Sequence, residues 1–278
     1  MVTVEESYQY CLRVARSRAK NFYYSFLLLS APQRQAMCAI YAFMRYCDDL
    51  SDEPGASRAA MERWRAETED ALEGRFSSHP VWPAFHHTVR RFGIPHQYFR
   101  DMIDGVASDL QPRRIESFDE LYHYCYQVAS VVGLSIIHIF GFETSRALPL
   151  AEKCGVAFQL TNILRDIRED AERSRIYLPA EDLRRFGVAP EDLRAGRSTD
   201  AFRELMRFEA GRARGYYNEA MPLLDLIHRR SRPSLWALIA IYSRLLSRIE
   251  AANYDVFTRR VRLSAAEKSW IVLRAFMS

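Results

Sequence analysis

No stretch of the 278 residues alternates apolar and polar side chains with period two, so no sheet is expected. The five cysteines (Cys11, Cys38, Cys47, Cys125, Cys154) are odd in number and lack C-x-x-C spacing. Each lies in an apolar helical pattern, which argues against a disulfide framework and for reduced core thiols in a reducing cytoplasm. Seven histidines include the adjacent His86 and His87 but no H-E-x-x-H, so no zinc site is expected. No G-x-G-x-x-G sits between a strand and a helix, which leaves no Rossmann nucleotide site. The N-terminus carries Glu5 and Glu6 and no apolar region of signal-peptide type. The longest apolar runs, near 134–142 and 235–242, fall short of the ~20 residues that span a bilayer. A soluble chain, at most peripheral to a membrane, is expected. Tandem repeats, low-complexity tracts and linkers are also missing, so residues 1–278 are expected to form one domain.

The composition supplies a core. Hydrophobic residues make up 49% and aromatics 13%, enough to line an apolar tunnel as well, and 27% charged residues argue against extended disorder. The formal charge of +4 suits an anionic substrate or contact with an anionic membrane surface.

Helical periodicity is clearest at Gln159-Leu-Thr-Asn162-Ile-Leu-Arg165-Asp166-Ile-Arg168-Glu169-Asp170. Leu160, Ile163, Leu164 and Ile167 form its apolar stripe, and Gln159, Asn162, Asp166 and Asp170 fall near one side. Two carboxylates one turn apart repel unless a cation sits between them. Oxygen donors from Asp and Asn suit a hard ion such as Mg²⁺. The pattern recurs upstream in Tyr41-Ala-Phe-Met-Arg45-Tyr-Cys-Asp48-Asp49-Leu-Ser-Asp52-Glu53, where Arg45, Asp48 and Asp52 share a face. Taken singly, either stretch reads equally well as a solvated helix face. Together they point to two acidic faces across a cavity, with metal ions and a diphosphate between them. Such acidic faces oppose nucleic-acid binding, and no helix-turn-helix or zinc-finger pattern appears.

At these residues the chain resembles the squalene and phytoene synthase family, the head-to-head prenyl transferases. Two further blocks carry the resemblance, Tyr124-Cys-Tyr-Gln-Val-Ala-Ser-Val-Val-Gly133 and Arg175-Ile-Tyr-Leu-Pro179, in family order. The resemblance implies an all-α isoprenoid-synthase fold of ten to twelve helices around a central cavity, the acidic helices lying antiparallel at its mouth. It implies Mg²⁺, with Mn²⁺ as a substitute, on Asp48, Asp52, Asn162, Asp166 and Asp170, and Tyr124 as the mechanistic tyrosine. Substrate contacts carry over to Lys20, Phe22, Tyr41, Arg45, Val128, Gly133, Gln159, Arg165, Arg175, Tyr177, Tyr242 and Arg259, with Asn253 and Tyr254 in the same C-terminal block. Ala19 departs from relatives with a hydroxyl residue there, and Ser130 replaces a common Gly or Ala. The implied partners are prenyl diphosphates. Two C15 farnesyl diphosphates giving presqualene diphosphate or squalene are favoured, with two C20 geranylgeranyl diphosphates giving phytoene as the alternative. A non-catalytic helical scaffold is a third reading. NADPH use stays open, because reducing members bind the nucleotide without a Rossmann domain. Oligomeric state is not legible.

Elsewhere the residues suggest local structure. Tyr8 to Phe26 reads as one basic helix, and Ser30-Ala-Pro32 starts the next, which Glu53-Pro54-Gly55 ends. Asp109 reads either as an auxiliary acid beside the cavity or as a surface residue ending a helix. Ser117-Phe-Asp-Glu120 is a capping box ahead of a long apolar helix. There Ala129, Ser130 and Gly133 would let a polyprenyl chain pass close to the backbone, and Tyr126 would line the pocket with Phe22, Tyr41 and Tyr124. Thr199 to Arg230 and Pro233 to Phe257 read as long helices.

Overall fold

The computed structural model describes residues 2–19, 22–52 and 56–277, so Lys20 and the breaker at 53–55 lie outside the described residues. Helix α1 (Val4–Arg18) starts at a capping box in which the Glu6 amide donates to the Thr3 hydroxyl at 3.2 Å. The Thr3 amide in turn donates to the Glu6 carboxylate at 2.8 Å. Where the sequence suggests one helix to Phe26, Ala19 leaves helical geometry (φ −82°, ψ 55°) and α2 (Phe22–Phe26) starts afresh. The break lets Phe22 meet Tyr41 and Tyr242, with ring centroids 6.3 and 5.5 Å apart.

Helix α3 (Ala31–Asp52) opens with Pro32 in its first turn, where no N–H is needed. The Ser30 hydroxyl donates to the Gln33 side chain at 2.8 Å. Phe43 points away from the acidic face into an aromatic cluster, stacked on Phe85 at 4.5 Å and on Trp64 at 5.5 Å. That cluster ties α3 to α4 (Arg58–Leu72), α5 (Trp82–Phe92) and α6 (His96–Ser108).

The long apolar helix is three pieces, α7 (Phe118–Cys125), one π turn (Tyr126–Ser130) and α8 (Val131–Phe140). The Ser117 hydroxyl caps the Glu120 amide at 3.3 Å, but the Glu120 carboxylate takes the Glu116 amide, so only half of the expected box forms. Two glycines seat the π turn. A Cβ on Gly105 would lie 2.7 Å from Gln127 Cβ, and one on Gly155 would lie 2.5 Å from Ser130 Cα. Ser130 is therefore small for helix packing, and its hydroxyl donates to the Glu152 carbonyl at 2.8 Å. As a continuous 23-residue helical run, Phe118–Phe140 is long and apolar enough to cross a membrane, correcting the expectation that no run is; 56% of its most apolar window is buried inside the protein.

Helix α9 (Ala147–Glu172) packs along α12 (Asp200–Ala220) and also touches α8, the π turn and α14 (Arg232–Ala251). Short elements α10 (Ala180–Phe186), α11 (Pro190–Arg194) and α13 (Leu223–Leu226) complete the wall, and α15 (Ala265–Met277) lies on α14 and α2. Both long C-terminal helices end early. Pro222 follows α12, and Asn253 and Tyr254 after α14 take left-handed φ of 49° and 60°. Against the expectation of no strands, β1 (Arg113–Arg114) pairs in parallel with β2 (Arg175–Ile176). Two residues are too few for period-two alternation to appear. All five cysteines are free and buried.

Candidate active site

A cavity of about 570 Å³ lies between α3, α9, α14 and the π turn with α8. Its α3 wall runs from Met37 and Ile40 through Tyr41 and Met44 to Arg45 and Asp48. Its α9 wall runs from Ala151 through Gly155 and Phe158 to Gln159, Asn162 and Arg165. Along both helices the lining changes from apolar to charged in the chain direction. They therefore run toward the acidic end in the same sense, where antiparallel packing is expected from the resemblance. Val128, Ala129, Val132, Gly133, Leu238 and Leu245 keep the remaining wall largely aliphatic. Phe158 stacks on Tyr242 with centroids 4.4 Å apart.

Of the two aspartates that each acidic helix is expected to offer a metal, one is held by arginine and one has no ion pair among the described residues. Asp52 accepts from Arg175 Nη1 at 2.7 Å and pairs with Arg173 Nη1 at 2.9 Å. Burial pushes its carboxyl up, but the two guanidiniums outweigh that and leave it below the ordinary value. Asp166 pairs with Arg165 beside it and with Arg260 Nη2 at 2.9 Å. Asp48 lines the cavity and is half-buried. Burial drives its carboxyl up to about 7, against Arg45 and with the added repulsion of Asp52, Asp49 and Asp109. Asp170 is pushed up to about 8 by burial and by Asp166, with Arg175 opposing. Arg45 is held by Asp49, one turn on.

A third acid joins the two helices. Asp109, the C-cap of α6, accepts from Tyr124 Oη at 2.7 Å and from Tyr177 Oη at 2.9 Å. The two rings stack at 4.8 Å, and the Arg113 guanidinium lies 4.6 Å over Tyr124. Arg175 Nη2 donates to the Asp109 carbonyl at 2.9 Å and to the Ser51 carbonyl at 3.1 Å. The β1–β2 pair is what brings Arg113 beside Arg175. Burial raises the Asp109 carboxyl despite the Tyr124 hydroxyl, and burial with the Asp109 charge raises the Tyr124 hydroxyl well above its usual value. Asp109 thus stands hydrogen-bonded among the polar side chains beside the cavity and not on open surface.

Of the residues expected at the site, Phe22, Tyr41, Arg45, Asp48, Val128, Gly133, Gln159, Asn162, Arg165 and Tyr242 line the cavity. Asp52, Asp166, Asp170, Tyr124, Arg175 and Tyr177 are off that wall, in the polar clusters beside it; Asp170, Arg175 and Tyr177 border a small hollow with Ile167 and Leu193. Arg259 is exposed and away from the cavity; its neighbour Arg260 lines it and reaches Asp166. The segment there is not helical, so sequence spacing cannot say which of two adjacent arginines turns inward. Tyr126 is half-buried near Asp101 and Glu152, carried off the cavity wall by the π turn, and Tyr254 is buried outside it. Sequence reasoning also misses Arg262 and Phe158. Phe158 had a signal, since it stands one turn before Asn162 on the same face.

The donor set fits a hard divalent cation. Its donors are oxygens, and Asp48 and Asp170 are costly to ionise where they stand without added positive charge. Among the described residues no three Asp, Glu, His or Cys side chains converge on one point, so substrate oxygens would complete any coordination shell.

The chain is similar to known proteins over nearly its whole length. The family model described as squalene/phytoene synthase matches residues 15–267. The chain is 39% identical to the chloroplastic phytoene synthase 1 of Arabidopsis thaliana over 272 residues, 95% of this chain and 64% of that protein. It therefore spans just under two thirds of that relative's length. Identity is also 39% to the chloroplastic phytoene synthase 2 of Solanum lycopersicum, covering 95% of this chain and 88% of that one. The crystal structure of a dehydrosqualene synthase in complex with ligand superposes with a TM-score of 0.92 at 30% identity, over 99% of this chain and 96% of that one.

Proposed function

Because the chain belongs to the squalene/phytoene synthase family, we propose that it joins two C20 geranylgeranyl diphosphates head to head, losing both diphosphates, to give phytoene. The observation that carries the reading is an acidic and arginine-rich end on a largely aliphatic cavity. The choice of C20 rests on the relatives that are 38 to 39% identical, which are phytoene synthases. It displaces the C15 substrate favoured by the sequence. The balance is also simple: two diphosphates and two protons leave, and no hydride is needed. Formation of a C30 product without a reductant is the second reading, favoured by the likeness to a dehydrosqualene synthase.

In this reading Asp48, Asp52, Asn162, Asp166 and Asp170 would hold Mg²⁺, with Mn²⁺ able to replace it, and the metal would supply positive charge for the departing diphosphate. Arg45 and Arg165 face the same space and take the remaining phosphate charge. The allylic cation left behind needs a dry pocket. Phe22, Tyr41 and Tyr242 present aromatic rings to it, each worth ~2 kcal/mol once desolvated. The 2,3-double bond of the second substrate attacks, and a lost proton closes a cyclopropane ring. Tyr124 keeps its proton and donates a hydrogen bond to Asp109, so it steers the transfer as a hydroxyl and the released diphosphate is the base. The test is product analysis after incubating purified protein with each diphosphate and Mg²⁺, with and without NADPH. Phytoene from the C20 substrate, unaffected by NADPH, is expected. Turnover of C15 alone would move the substrate, and no metal-dependent diphosphate release would leave only a scaffold.

A further inference from the structure

Helix α15 has two apolar faces and only one of them is covered. Ile271 and Ala275 turn toward the core, on the side that packs against α14 and α2. On the opposite side Trp270, Leu273, Phe276 and Met277 are 61, 50, 78 and 67% exposed. They stand at i, i+3, i+6 and i+7, so they form one stripe about two turns long. Five other large apolar side chains are exposed among the described residues, and none of those five shares a helix face with another so closely. An uncovered stripe of this kind marks a contact surface.

Charge identifies what it contacts. Residues 258–277 carry Arg259, Arg260, Arg262, Lys268 and Arg274 against the one acid Glu267, five positive less one negative. That net of +4 equals the formal charge of the whole chain, so the remaining residues balance. Glu267 is itself paired with Arg248 of α14 at 2.6 Å. The same stretch borders the cavity, through Arg260, Val261, Arg262, Leu263 and Lys268. We propose that α15 docks on a lipid bilayer with anionic headgroups, its Trp270–Phe276 stripe entering the headgroup–acyl boundary and the exposed Arg259, Arg262 and Arg274 meeting lipid phosphate. An aromatic and aliphatic face flanked by basic residues is the chemistry of an interfacial helix. The inference rests on the proposed function only in taking the substrate and product as polyprenyl lipids, which the docked helix would pass between cavity and bilayer.

The test is co-sedimentation of the full chain with vesicles of phosphatidylcholine alone or with roughly 30% phosphatidylglycerol, an anionic share chosen to set up a surface potential. The wild type is expected to bind the anionic vesicles more tightly than the neutral ones, and less tightly as salt rises. The triple variant Trp270→Ser, Leu273→Ser, Phe276→Ser should bind about tenfold or more weakly. Its melting temperature and its turnover of detergent-dispersed substrate should match the wild type, and that turnover assay reports on the proposed function independently of vesicles. Trp270→Phe should keep binding and lose the vesicle-induced blue shift in tryptophan emission. Equal binding by wild type and triple variant, or no binding by wild type, would overturn the proposal. A lipid-free dimer that the triple variant converts to monomer would assign the stripe to a second copy and overturn it as well.

Discussion

The two acidic helices match in sequence and differ in structure. Asp48 and Asp52 stand seven and eleven residues after Tyr41, as Asp166 and Asp170 do after Gln159. Among the described residues, Asp48 on α3 has no ion pair and Asp52 is held by arginine, whereas on α9 Asp166 is held and Asp170 has none. Of the arginines involved, only Arg165, beside Asp166, comes from within a motif. The arginines that decide it arrive mainly from elsewhere, Arg173 and Arg175 from the turn after α9 and Arg260 from the segment after α14. Motif spacing therefore fixes which side chains share a face, and distant segments fix which of them stay open to a cation.

That contrast can be broken at several strengths. The largest effects belong to the two open carboxylates. Asp48→Asn and Asp170→Asn should each lower kcat/KM on the order of 10³-fold, since each removes charge that stabilises the metal-held diphosphate. Both variants should melt at a higher temperature than the wild type at pH 8 without metal, because a buried charge is gone. The arginine-held pair should behave oppositely in stability. Asp52→Asn and Asp166→Asn should also lose turnover, but with a loss of about 1.5–3 kcal/mol in denaturant unfolding, the range for hydrogen bonds to charged groups. Equal stability changes in all four variants would erase the distinction.

A weaker test separates adjacent arginines. Arg260→Ala should raise KM about tenfold by freeing Asp166 and Glu169, while Arg259→Ala should leave KM unchanged and stability within ~0.5 kcal/mol of wild type, as for ordinary surface changes. The smallest effect is in pH. Asp48 and Asp170 have carboxyls raised to about 7 and about 8, so the folded chain binds more protons than the unfolded one above the ordinary carboxyl range. Their contribution is full below about pH 4 and is lost as pH rises through 7 to 8. Melting temperature without metal should fall over that interval, and the double variant Asp48→Asn, Asp170→Asn should flatten the slope.

Much of this was legible in the sequence, for particular reasons. The helical class and both acidic faces follow from 3.6-residue periodicity, which Leu160, Ile163, Leu164 and Ile167 display and the structure keeps. Tyr41, Arg45, Gln159 and Asn162 lie on the cavity wall as their spacing requires. What could not be read depends on contacts between distant segments. The π turn needs Gly105 and Gly155 from two other helices, and it is this turn that carries Tyr126 off the wall. The two-residue strand pair that brings Arg113 to Tyr124 has no periodic signal at all. Arg260 rather than Arg259 faces inward because the backbone there follows no regular repeat.

The claim that the open carboxylates make a cation site is tested most directly without turnover. Free Mn²⁺ can be counted by electron paramagnetic resonance in the presence of protein and inorganic diphosphate, with protein-free diphosphate as the blank. The wild type is expected to remove Mn²⁺ from solution beyond the blank, and the Asp48→Asn, Asp170→Asn double variant to match the blank. Equal Mn²⁺ uptake by the folded double variant and the wild type would contradict the assignment of Asp48 and Asp170.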